Sequence, residues 1–305
     1  DTKPCSQILP CLTFNRAISL TNSNGEVVVL TSGQYAAFTA NKSVTVEAPE
    51  GVYAGVGVSP SVPLTTNPPP VIEITGGYNV TLKGLTVVYQ GVGIGSGIYQ
   101  DPVTAGTQPV LIVEGCTISG FPALGIGFSG PGTLQVRDTT CQRNGLGIFV
   151  TASTNSATAV TIDHCRLAYN GGLVARQGAL VMNTDASFTG VVFGTISNST
   201  IANNENGIIL GGPGVGLEIV NCLITQSSQN GISISGIATT STKNVTYGTI
   251  SNCAITYNSV GYYIQAGISP PGFLYTQSNN LIVQNGQTVG SLTPLTSSPL
   301  LTQGR

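Results

Sequence analysis

At 305 residues the chain carries a formal net charge of -2 and only 7% charged residues, so it has no basic surface to neutralise phosphates or anionic lipid head groups. No nucleic acid partner and no membrane insertion are therefore expected, and no apolar run approaches the roughly 18 to 20 residues that cross a bilayer. With 41% apolar residues and no linker or charge run dividing it, the chain has material for one core, which at this length must grow lengthwise as in a repeat protein.

Residues 1–24 read as an N-terminal cap. The chain opens at Asp1 without a charged, Met-initiated leader and is expected to be a mature, exported sequence. Cys5 and Cys11 each follow a proline and suit a small disulfide loop made in an oxidising compartment. Leu12 to Leu20 has the spacing of a short amphipathic helix, placed to cover the open end of the core that follows. From residue 25 to 290 the reading is a coil of short strands. Its first turns are Val27 to Leu30, Val44-Thr45-Val46, Val71-Ile72-x-Ile74, and Val80-x-Leu82 with Leu85-x-Val87.

From about residue 111 to 285 a phrase recurs: apolar-x-apolar, two residues, small-x-apolar, a polar stretch, then Gly-apolar-x-apolar. One copy is Leu111-x-Val113, Glu114-Gly115, Cys116-x-Ile118 and Gly125-Ile126-x-Phe128; the next is Leu134-x-Val136, Arg137-Asp138, Thr139-x-Cys141 and Gly147-Ile148-x-Val150. Strands this short bury nothing alone, whereas three of them wound into a rung enclose their alternating apolar side chains, and stacked rungs satisfy each other's edges. The expected fold is all-β: a three-sided, right-handed parallel β-helix with a short N-terminal capping helix. In-register rungs about 4.8 Å apart stack like residues into columns. One such column is Asn144, Asn170, Asn204, Asn258 and Asn285, each able to bond a turn and its stacked neighbours. Cys116, Cys165, Cys222 and Cys253 share an inward column and Cys141 another, which makes them small core hydrophobes rather than metal ligands. A bridge between Cys222 and Cys253 is geometrically conceivable; free buried thiols are the expectation. Residues 291–305 read as a trailing C-terminal strap. Asn41, Asn79, Asn198 and Asn244 head Asn-x-Ser/Thr sequons that fit a secreted glycoprotein, though so Asn- and Thr-rich a chain would supply as many by chance.

Pro10-Cys11-x-Thr13-Phe14-x-x-Ala17-Ile18, then Gly25-Glu26-Val27, Gly33-x-Tyr35 and Lys42-Ser43-Val44-Thr45-Val46, together with the rungs behind them, resemble secreted bacterial right-handed β-helix repeat proteins, related in fold to the pectate-lyase-like superfamily. The likeness covers nearly the whole chain. It implies the fold, export, and a link to polysaccharide, and it implies no catalytic residue by position, so function must come from the surface.

Enzymes of that fold resemble one another in presenting carboxylates on an exposed strand face. The outward column of the Gly-apolar-x-apolar strand reads Tyr99, Gly127, Phe149, Val174, Ile209, Ser233 and Tyr263, with neither acid nor base. Ionisable groups gather instead at the two-residue corner: Glu114, Arg137-Asp138 and Asp163-His164, with Arg143 and Arg166 nearby. Glu114 and Asp163 would stand about 9.6 Å apart with Arg137 between them, which suits a solvated ion-pair row better than a catalytic pair. Loops could bring in Asp101, Asp185 or Glu205. His164 is the sole histidine, so no metal site and no cofactor are expected. Long neutral loops at 100–109, 151–159, 175–191, 235–248 and 265–272 leave one corner and border the column, where Tyr99, Phe149 and Tyr263 could stack on sugars and Ile209 and Ser233 would line the floor.

Two functions from different classes follow. The leading one is a secreted, non-catalytic protein with a structural or adhesive role at the cell surface, its partner a second copy of itself in an oligomer or filament. The alternative is a β-helix that binds or degrades cell-surface polysaccharide. Ice binding is weakened because no Thr-x-Thr column recurs from rung to rung.

Overall fold

A computed structural model of the chain describes residues 4–57, 69–89, 95–103, 106–152, 156–172, 177–184, 190–235, 245–266 and 272–295. It is a three-sided, right-handed parallel β-helix. Strands follow one another in strict rotation into three parallel sheets, of 11, 10 and 10 strands, with successive strands of each sheet drawn from successive rungs.

One rung shows the local logic. Val110–Glu114 lies in the first sheet, Thr117–Ser119 in the second and Leu124–Ser129 in the third. The second-sheet strand is bracketed by two bends, Gly115 (φ 61°) and Gly120 (φ 85°), both in the left-handed region that turns the chain within one residue. Later rungs keep these bends with other residues. Asp138, His164, Asn198, Asn221 and Asn252 occupy the first bend, and Arg143, Tyr169, Asn203, Gln226, Tyr257 and Gln284 the second, with φ between 49° and 58°. Asn and Asp tolerate this conformation; a tyrosine there carries strain.

In-register pairing turns the alternating pattern into columns. Val113, Val136, Ile162, Ile196, Ile219 and Ile250 stack through the first sheet, each fully enclosed. Each such side chain contributes about 1.5–3 kcal/mol on burial. The asparagine column sits just after the second bend. Asn170 Nδ2 donates to the Cys141 carbonyl (3.1 Å) and to Asn204 Oδ1 (3.0 Å), while its own Oδ1 accepts from the backbone N–H (3.1 Å) and Nδ2 (3.2 Å) of Asn144. Asn258 and Asn285 repeat the arrangement. Ser227 interrupts it, and its buried Oγ has no hydrogen-bond partner.

The helix α1, Phe14–Leu20, caps the N-terminal end. Thr13 starts it, its hydroxyl accepting from the Arg16 N–H (3.3 Å). Phe14 and Ile18, one turn apart on the same face, close the core, with the Phe14 ring 4.7 Å from Phe38 and 5.1 Å from Tyr35. A disulfide joins Cys5 to Cys11 in front of the helix. At the other end Leu281 and Val283 lie exposed, and Thr293–Pro294 adds a final two-residue strand to the first sheet. No helix among the described residues is long and apolar enough to cross a membrane.

One rung differs from the sequence reading. The phrase at Gly172 and Val174 is not the third-sheet strand; Gly178–Asn183, inside the span read as a loop, takes that place and pairs with Leu146–Thr151. Gly171 and Gly172 lie instead at φ 120° and 119°, in the left-handed half of backbone space that glycine reaches readily. The longer apolar run from Ala179 to Met182 buries more surface than a strand begun at Gly172 would, so it wins the rung.

Candidate functional site

The corner row assembles as its spacing predicts. Glu114, Arg137 and Asp163 occupy one register position on successive rungs. Arg137 Nη2 pairs with Glu114 Oε2 at 3.1 Å in an exposed ion pair. Asp163 does not turn to Arg137. Its Oδ1 accepts from Ser197 Oγ (2.6 Å) and Asn198 Nδ2 (2.8 Å), and its Oδ2 lies 2.7 Å from His164 Nδ1. The Ser197 hydroxyl above all, then Asn198 and His164, hold the Asp163 carboxyl down at about 2. A carboxylate this acidic, with both oxygens engaged, stays ionised at neutral pH and is a poor base and no acid. The row is a structural ladder, and Asn198 continues it by accepting from Asn221 Nδ2 at 2.6 Å. Asn198 is thus bonded along the corner, while Asn41 stands exposed and Asn79 is exposed with its Oδ1 accepting from Val110 N–H (3.0 Å); Asn244 lies outside the described residues.

The outward column of the third sheet carries more than the sequence reading gave it. Register extends it two rungs toward the N-terminus, as Thr39, Glu73, Tyr99, Gly127, Phe149, Val181, Ile209, Ser233 and Tyr263. Val181 stands at the position assigned to Val174, which lies outside the described residues, and the column does contain an acid. Glu73 projects outward between buried Ile72 and Ile74 and accepts from Thr39 Oγ1 (3.3 Å). Burial, then the charge on Glu73, raises the Asp101 carboxyl above the usual range. Burial and Asp101 raise the Tyr99 phenol, partly offset by its hydrogen bond with Ser129. Gly127 leaves room for the Tyr99 ring, which a Cβ there would strike. The alternation Ile72-Glu73-Ile74 was the available signal; those rungs lack the glycine that marks the later ones.

Along the middle of this face Val181, Ile209 and Ser233 are buried, whereas Tyr99, Phe149 and Tyr263 remain partly open. At the Tyr263 end lies a cleft of about 440 Å³. Ile209, Val260, Val289 and Tyr263 supply apolar surface; Asn206, Gln229, Asn230, Gln265 and Gln287 supply amides, and Ser233 and Ser235 hydroxyls. Among the described residues no charged group lines it. Its rim is braced: Asn206 Nδ2 donates to the Gln177 carbonyl (2.9 Å), its Oδ1 accepts from Asn230 Nδ2 (2.8 Å), and Gln229 Nε2 donates to Glu205 Oε1 (2.8 Å). Glu205 thereby serves the rim and is not gathered with Asp101; Asp185 lies outside the described residues.

Comparison with known proteins adds fold and family. The family described as "Periplasmic copper-binding protein (NosD)" matches residues 79–289. The crystal structure of pectate lyase Pel9A superposes with a TM-score of 0.65 at 16% identity, over 96% of this chain and 76% of that one. A protein of Geobacillus virus E2, ORF18, superposes with a TM-score of 0.54 at 13% identity, over 92% of this chain and 56% of that one. At such identities the likeness is one of fold. No curated protein matches the chain in sequence.

The family description raises copper, and the donor set does not fit it. Copper sites draw on converging imidazole, thiolate and thioether groups. The sole histidine, His164, sits at the corner with Nδ1 on Asp163, and the sole methionine, Met182, is sealed in the third sheet. Burial pushes the thiols of Cys116 and Cys165 up to about 12 and about 11 and raises Cys141, which keeps them protonated, whereas the ligand is the thiolate, and the remaining pair, Cys222 and Cys253, has no third ligand beside it among the described residues. Among the described residues no three His, Cys, Asp or Glu side chains come together to hold a metal ion.

Proposed function

The chain belongs to the NosD family, and from that premise and the outer face of its third sheet we propose that it is an exported, non-catalytic β-helix that adheres to neutral polysaccharide. The observation that carries this reading is the cleft beside Tyr263, which no charged group among the described residues lines. Sugar rings offer an apolar face to an aromatic side chain and a fringe of hydroxyls to amides, and the cleft supplies both without a charge that a neutral glycan would leave unpaired. The periplasmic character of the family supports export. A glycan array probed with the wild type and Tyr263→Ala tests the reading. Binding lost or weakened about tenfold or more in the variant is expected; equal binding by both proteins, or binding by neither, refutes it.

Glu73 and Asp101 favour a second reading, cleavage. Glu73 stands on the face and Asp101 just past the Tyr99 strand, near enough for the Glu73 charge to help hold the Asp101 carboxyl above its usual range, as a general acid requires. Incubation with the glycans that bind, followed by chromatography of the products, decides it. Release of shorter fragments by the wild type and none by Asp101→Asn would replace adhesion with hydrolysis. Exposed Ile8, Leu9 and Leu12 on the cap support self-association as part of the adhesive role, and a lone 31.1 kDa particle by light scattering would remove that part.

A further inference from the structure

The small-residue column that follows the first bend alternates thiols with hydroxyls over most of its length. The Cys116 N–H donates to Thr139 Oγ1 (3.2 Å) and the Cys165 N–H to Ser199 Oγ (3.0 Å), so each of these cysteines faces a hydroxyl on the next rung. Cys141 stands in the second sheet between Ile118 and Leu167. The column breaks its alternation once. Val220 pairs with Ser251 and Leu223 with Ala254, which sets Cys222 directly against Cys253 on adjacent rungs. The Ala254 N–H donates to the Cys222 carbonyl at 2.9 Å and fixes the spacing there. In-register parallel rungs lie about 4.8 Å apart, inside the roughly 4.4–6.8 Å over which disulfides join Cα atoms. Cys253 Sγ donates to the Ile219 carbonyl (3.4 Å) on the rung of Cys222, as the other cysteines of the column do to the rung before them.

We propose that Cys222 and Cys253 are a covalent modification site, a thiol pair oxidised to a disulfide that clamps two successive rungs. Both S–H bonds break and one S–S bond forms; the two protons and two electrons pass to a disulfide oxidant, protein-borne or small, which leaves as two thiols. The Cys5–Cys11 bridge already requires such an oxidant, and the family is a periplasmic one. Each thiol rests on a carbonyl of the rung before it, Cys222 Sγ on that of Ile196 and Cys253 Sγ on that of Ile219, so the two sulfurs stack along one column. The clamp lies across the two rungs that carry Ser233 and Tyr263, and would hold the floor of the cleft at fixed spacing whether or not a glycan occupies it.

The test is a thiol count on the exported protein, purified without reductant and unfolded in guanidinium with N-ethylmaleimide. Intact mass should show three of the five core cysteines labelled, and digestion should yield one species linking the peptides of Cys222 and Cys253. In Cys222→Ala the orphaned Cys253 should be labelled. Reductant should lower the melting temperature of the wild type by roughly 5 °C or more beyond its effect on Cys222→Ala, which keeps only the Cys5–Cys11 bridge. Five labelled core cysteines, or a bridge joining any other pair, would overturn the proposal.

Discussion

Replacing Asn170 with alanine removes one link from the buried asparagine ladder, and its cost can be worked from the bonds lost. Four hydrogen bonds of 3.0–3.2 Å disappear; the Cys141 carbonyl keeps its place in the second-sheet ladder, whereas the Asn144 N–H is left sealed from water. A buried group left without a partner costs about 1–3 kcal/mol, so the loss should be about 1–3 kcal/mol, with a midpoint near 2. Urea unfolding followed by far-UV circular dichroism reads it, together with hydrogen exchange at the Asn144 amide, which should quicken. In a solenoid each rung leans on its neighbours, so the damage should spread to the rungs on either side before the ends. A loss below about 1 kcal/mol, with Asn144 still protected, would refute the idea that the Asn170 side chain alone satisfies the Asn144 N–H.

Ser227→Asn should act in the opposite direction, stabilising by about 1 kcal/mol in the same urea assay, because it supplies the missing link and removes a buried hydroxyl with no partner. Tyr257→Gly should raise the melting temperature by a degree or two, since its φ of 56° suits glycine and the side chain is exposed; Tyr257→Val should lower it. Asp163 has a folded value of about 2 against an ordinary 3.8; its depressed value means that its contribution is present above the unfolded value and is lost as pH falls from about 4 toward 2. The gap in unfolding midpoint between wild type and Asp163→Asn should therefore narrow over that window and stay constant above pH 5. Arg137→Ala should cost less than about 1 kcal/mol, as an exposed ion pair does, and a larger loss would mark the corner as more than solvated.

The coil was legible because its code is local and repeated. Leu111-x-Val113 and its successors place alternate side chains inward, and the asparagine column could be counted off before any rung was seen in space. The rung at Gly178–Asn183 was not legible in the same way, because Gly172 satisfies the local phrase equally well. Only the burial gained by the longer apolar run decides between them. Glu73 was missed for the complementary reason. Its strand is recognisable in the sequence, but nothing there tells which sheet it joins, and only register, by pairing it with Tyr99, gives its facing. The cleft beside Tyr263 depends on side chains brought together from four rungs, a juxtaposition that no single stretch of sequence contains.

The orientation of the sheets has a mechanical corollary. Every ladder hydrogen bond runs along the long axis, so tension applied end to end loads one inter-rung interface after another, while a sideways pull is shared by all three walls at once. Such a rod peels from its weaker tip under axial strain and resists shear. Among the described residues the shortest pairing of the first sheet is the one Thr293–Pro294 makes with Gly272–Thr276, and that interface should part first. A rod of this build holds best whatever is laid along its flank.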